Sequence, residues 1–262
     1  MNSKITDESR SLTGFPPLDS LSHRLGLRIP QVKSLTYTSL GFTAYQDRIT
    51  GLSLYGLGLL EFPLEIFDFT ALTHLFLHAN QISQIPSEIS RLTDLTLLDL
   101  SGNKISVLPS SIGHMGNLRK LHLQNNSILE LPAEIGDLGS LVELKAFLNL
   151  LTSIPPTVAG MVNLRVAWLN KNKIRSIPES FVLQSLEELY LNNNEIFSLP
   201  RSLGSCQMLK ILHLSSNSLQ EIPNDLFSIR GLQILDLRGN NFNSDTKMQI
   251  QSKISPNTKL KV

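Results

Sequence analysis

The sequence predicts an α/β solenoid: coils stacked so that one long parallel sheet lines a concave face, with short helical or irregular segments on the convex side. Three observations predict it. Proline recurs at positions 63, 86, 109, 132, 155, 178, 200 and 223, in steps of 23 residues with a single step of 22 between Pro178 and Pro200. Asparagine recurs at 80, 103, 126, 149, 172, 194, 217 and 240 in the same rhythm. Between them runs the pattern L-x-x-L-x-L-x-x-N-x-I-x-x-I/L-P-x-x-I-x-x-L, as in "LTLLDLSGNKISVLPSSIGHM", residues 95–115. Self-similarity at a fixed period of this size is the mark of stacked repeats.

Each part of the repeat has a physical reason. The L-x-L alternation is a strand with one buried face. A single such strand cannot bury its leucines alone, so successive coils must stack, with strands about 4.8 Å apart. Each asparagine falls where the chain leaves the strand and turns inward. Its amide can both donate to and accept from backbone groups that the turn leaves unpaired. Each proline holds φ near −65° and opens the returning arm. Stretches such as "PSEISRL" and "PAEIGDL" place a short helical turn on that arm. The strand side is then compact and the outer side wide, and the solenoid curves into a horseshoe.

These residues carry a resemblance to the leucine-rich repeat family over roughly residues 49–243, about nine repeats. The 23-residue period and the "LP" after the second apolar pair look like the intracellular group typified by Ras-suppressor proteins and plant Ras-group proteins. Short stand-alone prokaryotic and archaeal members read similarly. The resemblance implies a binding scaffold, with a Ras-like small GTPase or another signalling protein as partner.

Both ends read as caps within a single domain spanning 1–262. Residues 1 to about 10 carry no apolar periodicity and are expected to be disordered. The opening "MNSKITDESRSLTG" lacks the apolar run of a secretory signal. "LDSLSHRLGL" (18–27) sets Leu18, Leu21 and Leu25 on one helical face, and "GFTAYQDRITGLSLYG" (41–56) alternates on either side of Gln46 and Asp47 as a hairpin. Residues 1–48 thus form an N-terminal cap resembling those of plant and prokaryotic family members. The first repeat carries Leu57 in place of the asparagine. At the other end, 244–262 offers a helix with Ser244 as its N-cap and Asp245 in its first turn, Ile250 and Ile254 on one face, and a final edge strand in "SPNTKLKV". With both caps assigned, no stretch is left for a catalytic domain.

Composition narrows the function. With 23 basic and 22 acidic residues, the net charge of +1 gives no general attraction to nucleic acid or an acidic membrane. The single cysteine, Cys206, excludes an intrachain disulfide and suits a reducing compartment, so a cytoplasmic location is expected. No apolar stretch approaches the length of a membrane span. A monomer without cofactor is expected.

Function should lie on the concave face, where the fold makes no demand on residue type. The middle outward column, coil by coil, reads Ser53, Phe76, Asp99, His122, Lys145, Trp168, Tyr190, His213, Asp236. Two residues later stand Tyr55, His78, Ser101, Gln124, Phe147, Asn170, Asn192, Ser215 and Arg238, and two residues earlier Val166 and Glu188 fall in the central coils. One place departs from the polar pattern. "KAFLNLLTSIP" (145–155) carries Phe147 and Leu148 where its neighbours carry Gln124 and Asn125, or Asn170 and Lys171. Phe147, Leu148, Val166, Trp168 and Tyr190 would make one apolar patch, and such patches mark interaction sites. Lys145, Lys171, Arg119, Lys120 and Lys173 border it, with Glu187, Glu188 and Glu195 on the C-terminal side. Alternatively, Leu148 and Phe147 turn inward to refill the core beside Ala146 and Ala167, which replace leucines.

Catalysis and metal binding find little support. His74 and His78 lie four apart in one strand, too far to share a metal, and no paired-cysteine motif exists. Asp99–His122 and His213–Asp236 can pair across strands as a carboxylate and a general base, yet no serine or cysteine nucleophile joins them. The leading expectation is a non-enzymatic scaffold that binds a protein or peptide on its concave face, through Trp168, Tyr190, Phe147, Val166, Leu148, Lys145, Lys171, His122 and Glu188. The alternative is a nucleic-acid binder that uses the basic and aromatic residues of repeats four to six.

Overall fold

A computed structural model describes residues 14–262. The expected disorder of residues 1 to about 10, and the opening stretch read against a secretory signal, fall outside or largely outside the described residues. Eleven strands form one open sheet in sequential order. Strands β1 (Leu40–Tyr45) and β2 (Arg48–Leu54) pair antiparallel, and Gln46 and Asp47 both adopt positive φ, as a two-residue hairpin turn requires.

From β2 onward every pairing is parallel: β3 (His74–Phe76), β4 (Leu97–Asp99), β5 (Lys120–His122), β6 (Glu143–Lys145), β7 (Val166–Trp168), β8 (Glu188–Tyr190), β9 (Ile211–His213), β10 (Ile234–Asp236) and β11 (Lys259–Lys261). The repeat register is carried without slippage, so the outward columns run straight across the sheet. One continuous core of leucines, isoleucines and phenylalanines fills the coils.

The returning arms carry 3-10 turns, each opened by the phased proline, as in Ser87–Arg91 after Pro86 and Ala133–Asp137 after Pro132. Seven such turns occur among the described residues. The coil after Pro178 has none: it belongs to the 22-residue step, and the missing residue leaves too little chain to close the helical turn. Phe181 fills that space and is fully buried.

The asparagine column works as its chemistry suggests. Asn126 donates to the carbonyls of Leu123 (3.0 Å) in its own coil and Leu100 (3.0 Å) in the preceding one, and accepts from the Ile105 amide (3.0 Å). The same three-way bonding recurs from Asn80 to Asn240. In the first coil Leu57 packs part-buried against the core, and Asn80 of the next coil serves that coil's Leu54 carbonyl and Leu59 amide.

A helix stands near each end of the described residues, with one difference from the expected capping residue. Helix α1 (Pro16–Leu25) buries Leu18 and Leu21 completely, with Leu25 part-buried against the core, and closes on Gly26 at φ 64°. Helix α2 (Ser244–Lys253) is capped by Asn243, not Ser244: the Asn243 side chain accepts from the Thr246 amide at 2.7 Å. Asparagine and serine are near-equal caps, so sequence alone could not choose between adjacent candidates. Ile250 is buried and Ile254 part-buried. No helix among the described residues is long and apolar enough to cross a membrane.

Candidate functional site

The concave face divides into a covered half and an open half. The division was not foreseen, because it comes from the segment between α1 and β1. Residues 31–39 fold back over the sheet. Val32 donates to the Phe42 carbonyl (2.8 Å), and Leu35 lies over Gly51, where an added Cβ would meet its Cδ1 at 2.8 Å. Tyr37 stacks on His78 with ring centroids 4.3 Å apart, and its hydroxyl lies 3.2 Å from both Ser101 Oγ and Gln124 Nε2.

Under this strap the outward column is not open to solvent. Ser53, Phe76, His78, Asp99 and His122 are all buried. His78 is held between the rings of Tyr37 and Tyr55 (4.6 Å). Asp99 accepts from the Ser101 hydroxyl (2.6 Å) and amide (2.9 Å), while its second oxygen stands 3.8 Å from His78 Nδ1 and 3.6 Å from His122 Nδ1. Those two separations are too long for hydrogen bonds. His122 is engaged on its other side, Nε2 lying 2.6 Å from Glu143 Oε1, and Lys145 reaches the same carboxylate oxygen at 2.9 Å. The Asp99–His122 pair is thus the inner part of a chain of polar side chains that runs out to the part-exposed Glu143 and Lys145. His122, one of the residues expected at the binding surface, lies inside it.

Burial works against the Asp99 charge, but His122 and the two Ser101 bonds outweigh it and hold the carboxyl below its ordinary value. Glu143 and Asp236 are lowered likewise, burial opposing and the cations of Lys145 and Arg238 prevailing. A lowered folded value means stability that is present above the unfolded value, near pH 4 for Asp, and lost as pH falls through the folded one. The melting temperature should therefore drop as pH is lowered below about 4, and Asp99→Asn should flatten that slope. Parallel slopes for wild type and variant would refute the assignment.

The open half begins at β6. Phe147, Trp168, Tyr190 and His213 form a ladder, with successive ring centroids 5.7, 5.3 and 5.1 Å apart. Strict register places Lys145, Trp168, Tyr190 and His213 side by side. Lys145 Nζ sits 5.2 Å from the Trp168 ring centre. Trp168, Phe147, Tyr190, Val166, Lys145 and Glu188 are all part-exposed. The Tyr190 hydroxyl donates to Glu188 (3.0 Å); burial, then that carboxylate, push the phenol up to about 12, so it stays protonated. The ladder ends at Asp236, which takes two bonds from Arg238 (2.6 and 2.9 Å).

The comparisons with known proteins fit this geometry. A model described as a leucine-rich repeat region matches residues 64–189, and one described as a leucine rich repeat matches 184–242. The chain belongs to the leucine-rich repeat proteins. Among solved structures, it resembles a leucine-rich repeat protein of Leptospira interrogans, with 32% identity over 81% of this chain and 54% of that one, at a TM-score of 0.77. It resembles the plant peptide hormone receptor RGFR1 in complex with RGF2, with 29% identity over 74% and 31% of the two chains, at 0.64. It also resembles the ectodomain of the Arabidopsis thaliana receptor kinase GASSHO1/SCHENGEN3 in complex with CASPARIAN STRIP INTEGRITY FACTOR 2, with 29% identity over 79% and 29%, at 0.61. The chain thus spans about half the length of the bacterial protein and under a third of each plant chain. No curated protein matches it significantly.

Within this repeat protein, Leu148 occupies a left-handed turn that recurs in each coil. The residue before each phased asparagine takes a left-handed conformation: Ala79, Gly102, Asn125, Leu148, Lys171, Asn193, Ser216 and Gly239 all lie between φ 55° and 68°. Leucine there costs on the order of 1–2 kcal/mol. It does not turn inward: Leu148 is 42% exposed, while Ala146 and Ala167 stay buried in the core. The turn is common to all eight coils, so its strain belongs to the repeat; what sets this coil apart is an exposed apolar side chain in that turn, at the rim of the aromatic ladder.

The strap was the feature that sequence reading missed. Its one signal was Gly51, a glycine inside a strand, which marks a close approach by other chain. No group of acidic, histidine and cysteine side chains among the described residues is arranged to hold a metal ion. Cys206 is buried on the convex arm, and burial raises its thiol above the ordinary value.

Proposed function

We propose that this leucine-rich repeat protein is a non-enzymatic scaffold that binds a protein or peptide partner on the open half of its concave face. The observation that carries the reading is the exposed Leu148 in a left-handed turn beside the ladder of Phe147, Trp168 and Tyr190. Packing and backbone preference both argue against a leucine there, so its retention is explained by contact with something outside the chain. Tryptophan and tyrosine are the residues most enriched at binding hot spots, and the charged surround of Lys145, Lys171 and Glu188 matches the polar rim of an interface. One of the similar plant structures is a peptide hormone receptor in complex with RGF2, which supports the same use of this fold. A role in intracellular, cytoplasmic signalling, with a Ras-like GTPase as partner, rests on the repeat type alone.

The ring faces argue against the nucleic-acid alternative. Lys145 covers Trp168, and Tyr190 is stacked on His213 at an interplanar angle of 20°. Bases would need those faces to stack on.

The test uses wild type and three variants as bait in the cell the protein comes from. Trp168→Ala should cost on the order of 2 kcal/mol or more in partner binding. Leu148→Asn should raise stability by about 1 kcal/mol by relieving the turn, and still weaken binding. Phe197→Ala, which alters an exposed ring on another flank, should change neither. If Leu148→Asn and Trp168→Ala retain the same partners as wild type, this face is not the docking site.

A further inference from the structure

We infer that the occupant of this face is a short extended peptide in which an apolar side chain stands next to an acidic one. The inference rests on the reading of the face as a binding site and adds the chemistry of what binds.

Size argues for a short segment. The strap blocks the sheet as far as Gln124, and the Asp236–Arg238 pair closes the other end. Between them the ladder spans β6 to β9, four strands about 4.8 Å apart and three residues long, or on the order of 200 Å². A folded partner in a stable complex buries about 800 Å² on each side. The patch is well short of that, but it matches a few residues of extended chain at about 3.3 Å each.

Charge argues for an acidic segment. The carboxylates near the ladder are mostly already engaged. Glu143 holds Lys145 and His122, and Glu187 holds Arg165 and Lys210 (2.6 Å). The cations on the turn side are not. Among the described residues, Lys171 and Lys173 form no ion pair, and both are exposed. Lys171 takes the left-handed turn position in the coil next to Leu148, at the same register. An apolar contact point and an unmatched ammonium therefore stand side by side along one edge of the ladder. On the opposite edge, at the start of β8, Glu188 has only the Tyr190 hydroxyl as partner, so a carboxylate flanks the ladder there. An incoming acidic residue is directed to the Leu148–Lys171 edge and repelled from Glu188. An unpaired carboxylate beside an apolar side chain satisfies both features of that edge at once.

The experiment selects from a display library of random linear peptides on the full chain, then measures recovered peptides against variants by fluorescence anisotropy. Recovered peptides should pair Asp or Glu with an adjacent aromatic or large aliphatic residue. Lys171→Glu should weaken them at least about tenfold with an unchanged melting temperature, and raising salt should weaken wild-type binding. Peptides that lose binding to Trp168→Ala, yet show no acidic preference and bind Lys171→Glu as well as wild type, overturn the inference and leave the face as a binding site. An empty selection, or peptides indifferent to Trp168→Ala, overturns both. A single-stranded oligonucleotide that binds the chain and is lost with Lys171→Glu would assign the cations to phosphate and overturn the peptide.

Discussion

Removing residues 1–48 is expected to leave a chain that aggregates. Strand β1 pairs with β2 from Leu40↔Leu54 to Tyr45↔Arg48, and without it β2 becomes an open edge. Open edges with apolar faces recruit other chains. Helix α1 and its neighbours also bury Leu18, Leu21, Ile29 and Phe42, each no more than 2% exposed. Four such side chains represent roughly 6–12 kcal/mol of gross burial. Their loss uncovers Ile66 and Phe67 in the first convex turn, and the bidentate contact of Arg24 with Glu65 (2.7 and 2.8 Å) goes with them. Light scattering after size-exclusion chromatography would decide. A monodisperse, folded truncation would show that the first coil does not need this cap.

Asn149→Ala should give a large loss of stability for a single polar side chain. Asn149 is 6% exposed and serves three backbone groups: it donates to Leu123 (2.9 Å) and Ala146 (3.2 Å), and accepts from Ile128 (3.0 Å). Alanine leaves the Ile128 amide without a partner in the core, while the Leu123 and Ala146 carbonyls each lose one of two bonds and keep the other, from Asn126 and Asn172. The stranded amide costs about 1–3 kcal/mol, and a water entering the vacated space would recover part of that. A net loss of about 2 kcal/mol is expected, which for a chain of this size lowers the melting temperature by roughly 4–8 °C. The site also lies directly behind Phe147 and Leu148, so the same variant should loosen the turn that presents them. An unchanged melting temperature would contradict the stacked-column account.

The repeat was legible because it is written many times over. Asn126, Pro132 and Ile135 each have counterparts one period away, and any single reading is checked by the next coil. The aromatic ladder was legible for the same reason: a strict register turns residues one period apart into neighbours, so Trp168 and Tyr190 had to meet, with Phe147 one outward position further along the adjacent coil. Where no repetition exists, the reading was weaker. Ser244 and Asn243 are adjacent and chemically similar, and only the Thr246 amide position separates them. Leu148 could be read as facing inward or outward until its backbone angle was known, because one sequence is compatible with both.

The sequence by itself determined the solenoid, its buried leucine faces, its asparagine and proline columns and the location of the aromatic patch. These follow from local periodicity and from stacking, which require no knowledge of distant contacts. The tertiary structure alone decided which part of the concave face is open. Residues 31–39 have no periodicity, and their placement depends on Leu35 meeting Gly51 and on Tyr37 meeting His78, Ser101 and Gln124, partners up to 87 residues away. Such contacts depend on where the whole sheet has already put its side chains. For that reason His122 and Asp99, outward-facing by register, are buried, while Trp168 is part-exposed and Leu148 stands open to solvent.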